Sequence, residues 1–221
     1  MNTKTESGSA IIWIMIAVFL FAALGFAMMR GGDTGTSMIS SERETALARQ
    51  IVGEGNALQQ AAKRISLLGT IDTAISFQNN IDTDYTNAAC GVAKCKVFDP
   101  AGGGLGWSIL PKDANGGQSW LFTTNRMAGV GTAGTDLMGL VPNVKLGICN
   151  QINKMVGFGP AGGPPPQEAN TIDLTKFTGT YGAVDMDDTA AVFEGKLQGC
   201  FQGGGTPPTT SYYYFQVLLP R

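Results

Sequence analysis

Acidic side chains are the residues of this chain best placed to do chemistry, and their densest group is Asp185, Asp187 and Asp188 in the segment AVDMDDTAA. Alternating carboxylate oxygens of this kind can bind calcium. The EF-hand spacing, with its glycine and a distant glutamate, is not met, so we interpret the segment as a solvated acidic turn and keep calcium as the alternative. Asp82 and Asp84 form a weaker second pair. We expect no metal ion and no other cofactor.

Catalysis by the familiar nucleophilic triads is excluded, because the chain contains no histidine and those serine and cysteine hydrolases need one as the general base. Paired carboxylates could carry out glycosidase chemistry if they were held at a fixed separation. The sequence sets no distance between any two of its 17 acidic residues. We predict that the protein is not an enzyme.

Four cysteines, Cys90, Cys95, Cys149 and Cys200, provide the other reactive groups. A structural zinc site would need all four scattered thiolates to converge, because there is neither a CxxC spacing nor a histidine. Disulfides in an oxidising compartment are the favoured interpretation. A Cys149–Cys200 bridge would close a loop of about 50 residues, and Cys90–Cys95 would close a short turn. The two other pairings stay open.

The aromatic segment Tyr212, Tyr213, Tyr214 and Phe215 could form a platform for stacking sugars. Side chains alternate between the two faces of a strand, so we instead predict that the segment contributes to a core. Trp107 and Trp120 are interpreted as packing residues as well. The net charge of −2 provides no basic surface, and nucleic acid is not expected as a partner.

Residues 10–29 form one long uncharged stretch. It is apolar apart from Gly25, and as a helix it would cover about 30 Å, the thickness of a bilayer core. A buried core helix would normally keep a polar stripe, which is absent here. A cleaved secretory signal usually has a shorter apolar region. We therefore predict a retained helix that can span a membrane.

The rest of the chain suggests three further segments. Residues 1–8 form a short polar leader, and residues 31–37 form a glycine-rich break in the helix, since each glycine costs about 1 kcal/mol in a helix interior. Apolar residues at helical spacing then predict an amphipathic helix over residues 41–68. The break is assigned to Gly31, Gly32 and Gly35, and the apolar stripe to Leu47, Ile51, Leu58, Ala62, Ile65 and Leu68.

Residues 69–221 are expected to form a globular, disulfide-bonded head, because short β-type segments alternate there with Gly, Asn and Asp. One helix is predicted after Pro142 and Asn143, ending near Gly157. The expected fold class is α+β: a long N-terminal hydrophobic-then-amphipathic helix followed by a mainly antiparallel sheet with one or more short helices. The candidate strands are residues 74–77, 96–98, 107–110, 120–123, 191–197 and 212–219.

This pattern resembles the type IV pilins and pseudopilins: a leader ending in Gly8, an apolar helix, an amphipathic continuation and a disulfide-bonded head. The resemblance implies that a prepilin peptidase cuts between Gly8 and Ser9. It also implies residence in the inner membrane before the pilus assembly machinery incorporates the subunit into an extracellular filament. The family usually has a glutamate five residues after the cut, where this chain has Trp13, a departure that suits a minor or specialised subunit.

The partners implied are copies of the chain itself or other pilins in a helical filament. Uncharged helices can exchange lipid for neighbouring helices at small cost, because packing decides their association. The alternative function is a single-pass membrane-anchored binding protein or adhesin, outside the cytoplasm, that does not polymerise. The residues predicted to carry assembly are Ile11, Ile12, Trp13, Ile16, Phe19, Leu20, Leu24 and Gly25.

Overall fold

The structure is a computed structural model. It describes residues 8–160, 162–186 and 192–221, and for residues 8–10 and 27–39 it describes the backbone alone. The chain divides into two compact units, Met1–Arg43 and Glu44–Arg221. The division falls within the first helix.

The first element, α1, is a single helix of 60 residues, Gly8–Leu67. It continues through Gly31, Gly32 and Gly35, so the predicted break is absent. Its charged residues, such as Arg49 and Glu54, follow the apolar ones within the same helix.

The prediction of a long N-terminal hydrophobic helix that can span a membrane is wrong. Within the part of the chain that the structure describes, none of the helices combines the length and the apolar composition that a bilayer crossing requires.

The part of α1 that lies in the second unit packs one face into the core of the head. Ile51, Leu58, Ala62 and Ile65 are buried there, as the periodicity predicted. Leu47 is partly buried against the same core, whereas Leu68 lies beyond the end of the helix and is exposed.

A glycine lets α1 approach the sheet closely. A Cβ atom on Gly55 would lie 2.5 Å from the Tyr214 hydroxyl oxygen, whereas one on Gly53 would meet nothing within 4 Å. The side-chain amide of Gln59 donates a hydrogen bond of 2.8 Å to the carbonyl of Val217. The helix is therefore fixed to the sheet by both close packing and polar contacts.

The sheet has six strands in the order β3-β5-β6-β2-β1-β4. The four central strands pair antiparallel, but β3 pairs parallel with β5 and β4 pairs parallel with β1. The sheet is therefore mixed, which corrects the mainly antiparallel arrangement predicted. The strands are β1 Leu121–Met127, β2 Asp136–Val141, β3 Gln167–Glu168, β4 Asp185–Met186, β5 Gln198–Gly203 and β6 Tyr212–Leu219.

Four shorter helices accompany the sheet in the described residues: the α-helices α2 (Lys112–Asn115) and α3 (Leu146–Val156), and the 3-10 helices Asp72–Ala74 and Ala93–Cys95. Helix α3 ends where predicted, because Gly157 adopts the left-handed conformation and its N–H bonds to the carbonyl of Asn153. The predicted strands at 74–77, 96–98 and 107–110 are absent, and that at 191–197 is displaced to β5. An isolated bridge joins Ser76 and Lys96.

Side chains of β6 point into two apolar clusters on opposite faces of the sheet. Tyr214 and Leu218 join the cluster formed with α1 and α3, while Tyr213, Phe215 and Val217 join the other. This alternation follows from the two-residue period of a strand. The segment is thus a core element with both faces covered.

Candidate functional site

The predicted assembly surface lies on the first part of α1, in the unit Met1–Arg43. Every large apolar side chain from Ile11 to Phe26 is between 47% and 81% exposed. Successive residues of a helix are turned by about 100°, so these side chains cover the whole circumference of the segment. The members are Ile11, Ile12, Trp13, Ile14, Met15, Ile16, Val18, Phe19, Leu20, Phe21, Leu24 and Phe26.

Small residues interrupt this apolar surface. A Cβ atom on Gly25 would meet nothing within 4 Å, and Ala17, Ala22 and Ala23 lie nearby in the segment. Small side chains allow the backbones of two helices to approach each other closely. The segment thus offers both bulky side chains and shallow positions to a neighbour.

The predicted cleavage site lies at the beginning of α1. The helix begins at Gly8, while residues 1–7 and the side chain of Ser9 lie outside the described residues. Cleavage between Gly8 and Ser9 stays a prediction.

The four cysteines form two disulfides, which confirms that interpretation. Cys90 bonds to Cys95, and Cys149 on α3 bonds to Cys200 on β5. The amide of Asn153 reinforces the second link, since it donates to the carbonyl of Cys200 at 2.7 Å and accepts from the N–H of Cys200 at 2.7 Å. The alternative pairings and the four-thiolate zinc site are therefore ruled out.

Of the three carboxylates in the acidic segment, Asp185 alone lies within the described residues. The carboxylate of Asp185 is paired with the guanidinium of Arg126 at 2.6 Å. Asp187 and Asp188 lie outside the described residues. Elsewhere in the part of the chain that is described, no group of three potential ligands comes together.

The second acidic pair surrounds a lysine instead. The ammonium group of Lys176 lies 2.8 Å from a carboxylate oxygen of Asp82 and 2.8 Å from one of Asp84, and 5.1 Å from the centre of the Tyr85 ring. Burial works to lower the pKa of Lys176, but the hydrogen bonds to both carboxylates outweigh it and raise that pKa. The cluster therefore links the loop that carries Asp82 and Asp84 to the segment that carries Lys176.

Sequence reasoning missed one constellation in the head. Glu54 on α1 accepts a hydrogen bond of 3.1 Å from the indole N–H of Trp120. Both residues line a small cavity together with Trp107 and Phe98. The only sequence feature that could have indicated it is an acidic residue between Ile51 and Leu58, near the buried face of the helix.

Comparison with known proteins provides no independent guide to function: no protein-family model, no curated protein and no solved structure matches the chain.

Proposed function

We propose that the chain is a structural subunit of an extracellular, type IV pilus-like filament, assembled through the first part of α1. The observation that carries the proposal is the exposure of every large apolar side chain between Ile11 and Phe26. Burying apolar surface contributes roughly 25 cal/mol per Å². An uninterrupted apolar segment of this size therefore favours association with other molecules.

The distribution of the exposed side chains favours several like neighbours over a single partner. One partner would cover one side of the helix, and the rest of the circumference would stay in water. Copies of the same chain can surround one another when each is related to the next by a rotation and a translation. Contacts of this head-to-tail kind generate open helical filaments.

The absence of charge supports the same arrangement. No Asp, Glu, Lys or Arg occurs from Ile11 to Phe26, so packed helices would bury no unpaired ion, which is costly in an apolar core.

Trp13 occupies the position where pilins usually have glutamate. In the proposed filament the chain is therefore a minor or specialised subunit.

The remaining features fit a filament displayed outside the cell. The two disulfides suit an oxidising compartment. The partners are copies of this chain or other pilins, with a prepilin peptidase and the pilus assembly machinery acting before incorporation.

The proposal is tested on material sheared from the surface of cells that produce the chain. We expect electron microscopy to show filaments that contain this protein, and N-terminal sequencing of them to begin at Ser9. Monomers that stay in solution only with detergent and retain Met1 would instead indicate an anchored binding protein that does not polymerise.

A further inference from the structure

A small cavity lies against α1 within the unit Glu44–Arg221. Its volume is about 80 Å³, whereas roughly 10–15 Å³ on the same measure is enough to hold a water molecule. One wall comes from α1, and the others come from the loop around Trp107 and from Trp120. The principal lining residues are Glu54, Leu58, Phe98, Leu105, Trp107 and Trp120.

Three of the walls are aromatic rings held in fixed orientations. Phe98 and Trp107 meet edge to face, with ring centres 5.0 Å apart and planes at 90°. Trp120 lies nearly parallel to the buried Phe122, at 6.4 Å between ring centres. Phe122 also lies within 6.4 Å of Phe98 and Trp107, so all three rings of the wall rest on one core residue.

The wall formed by α1 carries the negative charge of Glu54, and no cation forms an ion pair with it among the described residues. The two oxygens of Glu54 accept hydrogen bonds from the Trp120 indole at 3.1 Å and from the Gln50 amide at 3.0 Å. Both donors are neutral. None of the ion pairs found between described residues involves Glu54. The carboxylate is therefore fixed in place while its charge is uncompensated.

We propose that this cavity binds a small alkylammonium ion. The faces of aromatic rings attract cations, most strongly for tryptophan, and the carboxylate of Glu54 supplies the opposite charge. Leu58 and Leu105 provide apolar contacts for the carbon atoms attached to the nitrogen. The volume limits the bound group to a compact head, such as a methylated or primary ammonium. This inference is independent of filament assembly.

The test compares two probes of similar size on the full chain. Tetramethylammonium chloride and tert-butyl alcohol are titrated separately while the indole N–H resonances are followed by NMR. We expect the cation to shift the resonances of Trp107 and Trp120 in a saturable way and the neutral alcohol to bind at least tenfold more weakly. Equal affinity for the two probes would contradict the proposal.

Substitutions identify the groups responsible. Glu54→Gln keeps an oxygen that can accept from Trp120 but removes the charge, and we expect it to weaken tetramethylammonium binding about tenfold. Trp107→Leu removes one aromatic face and is expected to weaken binding at least threefold. The matched control Glu194→Gln removes the same charge from an exposed site and should leave binding unchanged. Undiminished binding by Glu54→Gln would overturn the proposal, and if that variant fails to fold, the comparison of the two probes on the unaltered chain decides alone.

Discussion

At the scale of single residues, Tyr85 connects several parts of the head. Its hydroxyl oxygen accepts a hydrogen bond of 3.1 Å from the backbone N–H of Phe122. Its ring packs edge to face against Phe77 and Phe122 and lies beneath the ammonium of Lys176. Burial raises the pKa of Tyr85 to about 12, although the hydrogen bond from Phe122 acts in the opposite direction.

This shift predicts a loss of stability in alkali. A tyrosine in the unfolded chain ionises near pH 10, whereas folded Tyr85 keeps its proton to about pH 12. Between those values the unfolded state has lost a proton that the folded state retains, so the free energy of unfolding falls as pH rises. We expect Tyr85→Phe to make that fall shallower by about 1.4 kcal/mol per pH unit.

The measurement is denaturant unfolding of both proteins at a series of pH values. At neutral pH the variant should be less stable by about 1–2 kcal/mol, because the N–H of Phe122 loses its acceptor. The same pH dependence in both proteins would contradict the assignment to Tyr85.

At the scale of elements, the contact between α1 and β6 depends on Gly55. A methyl group there would meet the hydroxyl of the buried Tyr214, which is already hydrogen-bonded to Gln216 at 2.9 Å. The same group on Gly53 would enter open space. Gly55 therefore has no room for a larger side chain, whereas Gly53 does.

Gly55→Ala and Gly53→Ala form a matched pair. We expect Gly55→Ala to lower the free energy of unfolding by about 1–3 kcal/mol through overpacking. Gly53→Ala should raise it by about 1 kcal/mol, because alanine has the higher helix propensity. Chemical denaturation measures both, and destabilisation of equal size in the two variants would mean that α1 does not pack on β6 at Gly55.

The link between α3 and β5 gives a second prediction at this scale. Cys149 and Cys200 are 51 residues apart, and Cys90 and Cys95 are 5 apart. Replacing the first pair by alanine should destabilise the head by about 4 kcal/mol, and replacing the second by about 2 kcal/mol, because the longer loop restricts the unfolded chain more. Thermal unfolding of the two double variants checks the order, and the reverse order would contradict the prediction.

Local patterns predicted some elements and could not predict others. The bounds of β6 and the end of α3 follow from an aromatic run and from Gly157. Strand β2 was missed because it begins at Asp136 and contains Gly139. Buried Asp136 is held in the strand by accepting from the N–H groups of Met127 and Arg221, and Gly139 leaves room for Trp120.

The site depends even more on contacts distant in sequence. Glu54 and Trp120 are 66 residues apart, and no spacing in the chain indicates that they meet. The parallel edges of the sheet are likewise set by tertiary packing. Conversely, the uniformly apolar character of residues 11–26 is visible in the sequence itself, because the segment has no polar stripe.

At the scale of the whole molecule, the proposed filament depends on self-association through the first part of α1. Two variants of the full chain distinguish association through this surface from nonspecific hydrophobic association. Phe19→Glu places a charge in the proposed interface, and Ile81→Asp places one at an exposed apolar residue of the head. Unpaired charges are excluded from packed apolar interfaces.

The most direct test is negative-stain electron microscopy of material sheared from cells that produce the unaltered protein or one of these two variants, with the chain identified in the filaments by N-terminal sequencing. We predict filaments that contain the unaltered protein or Ile81→Asp, and none that contain Phe19→Glu. Filaments that contain Phe19→Glu in undiminished amount, or an unaltered protein that enters no filament, would contradict the central claim.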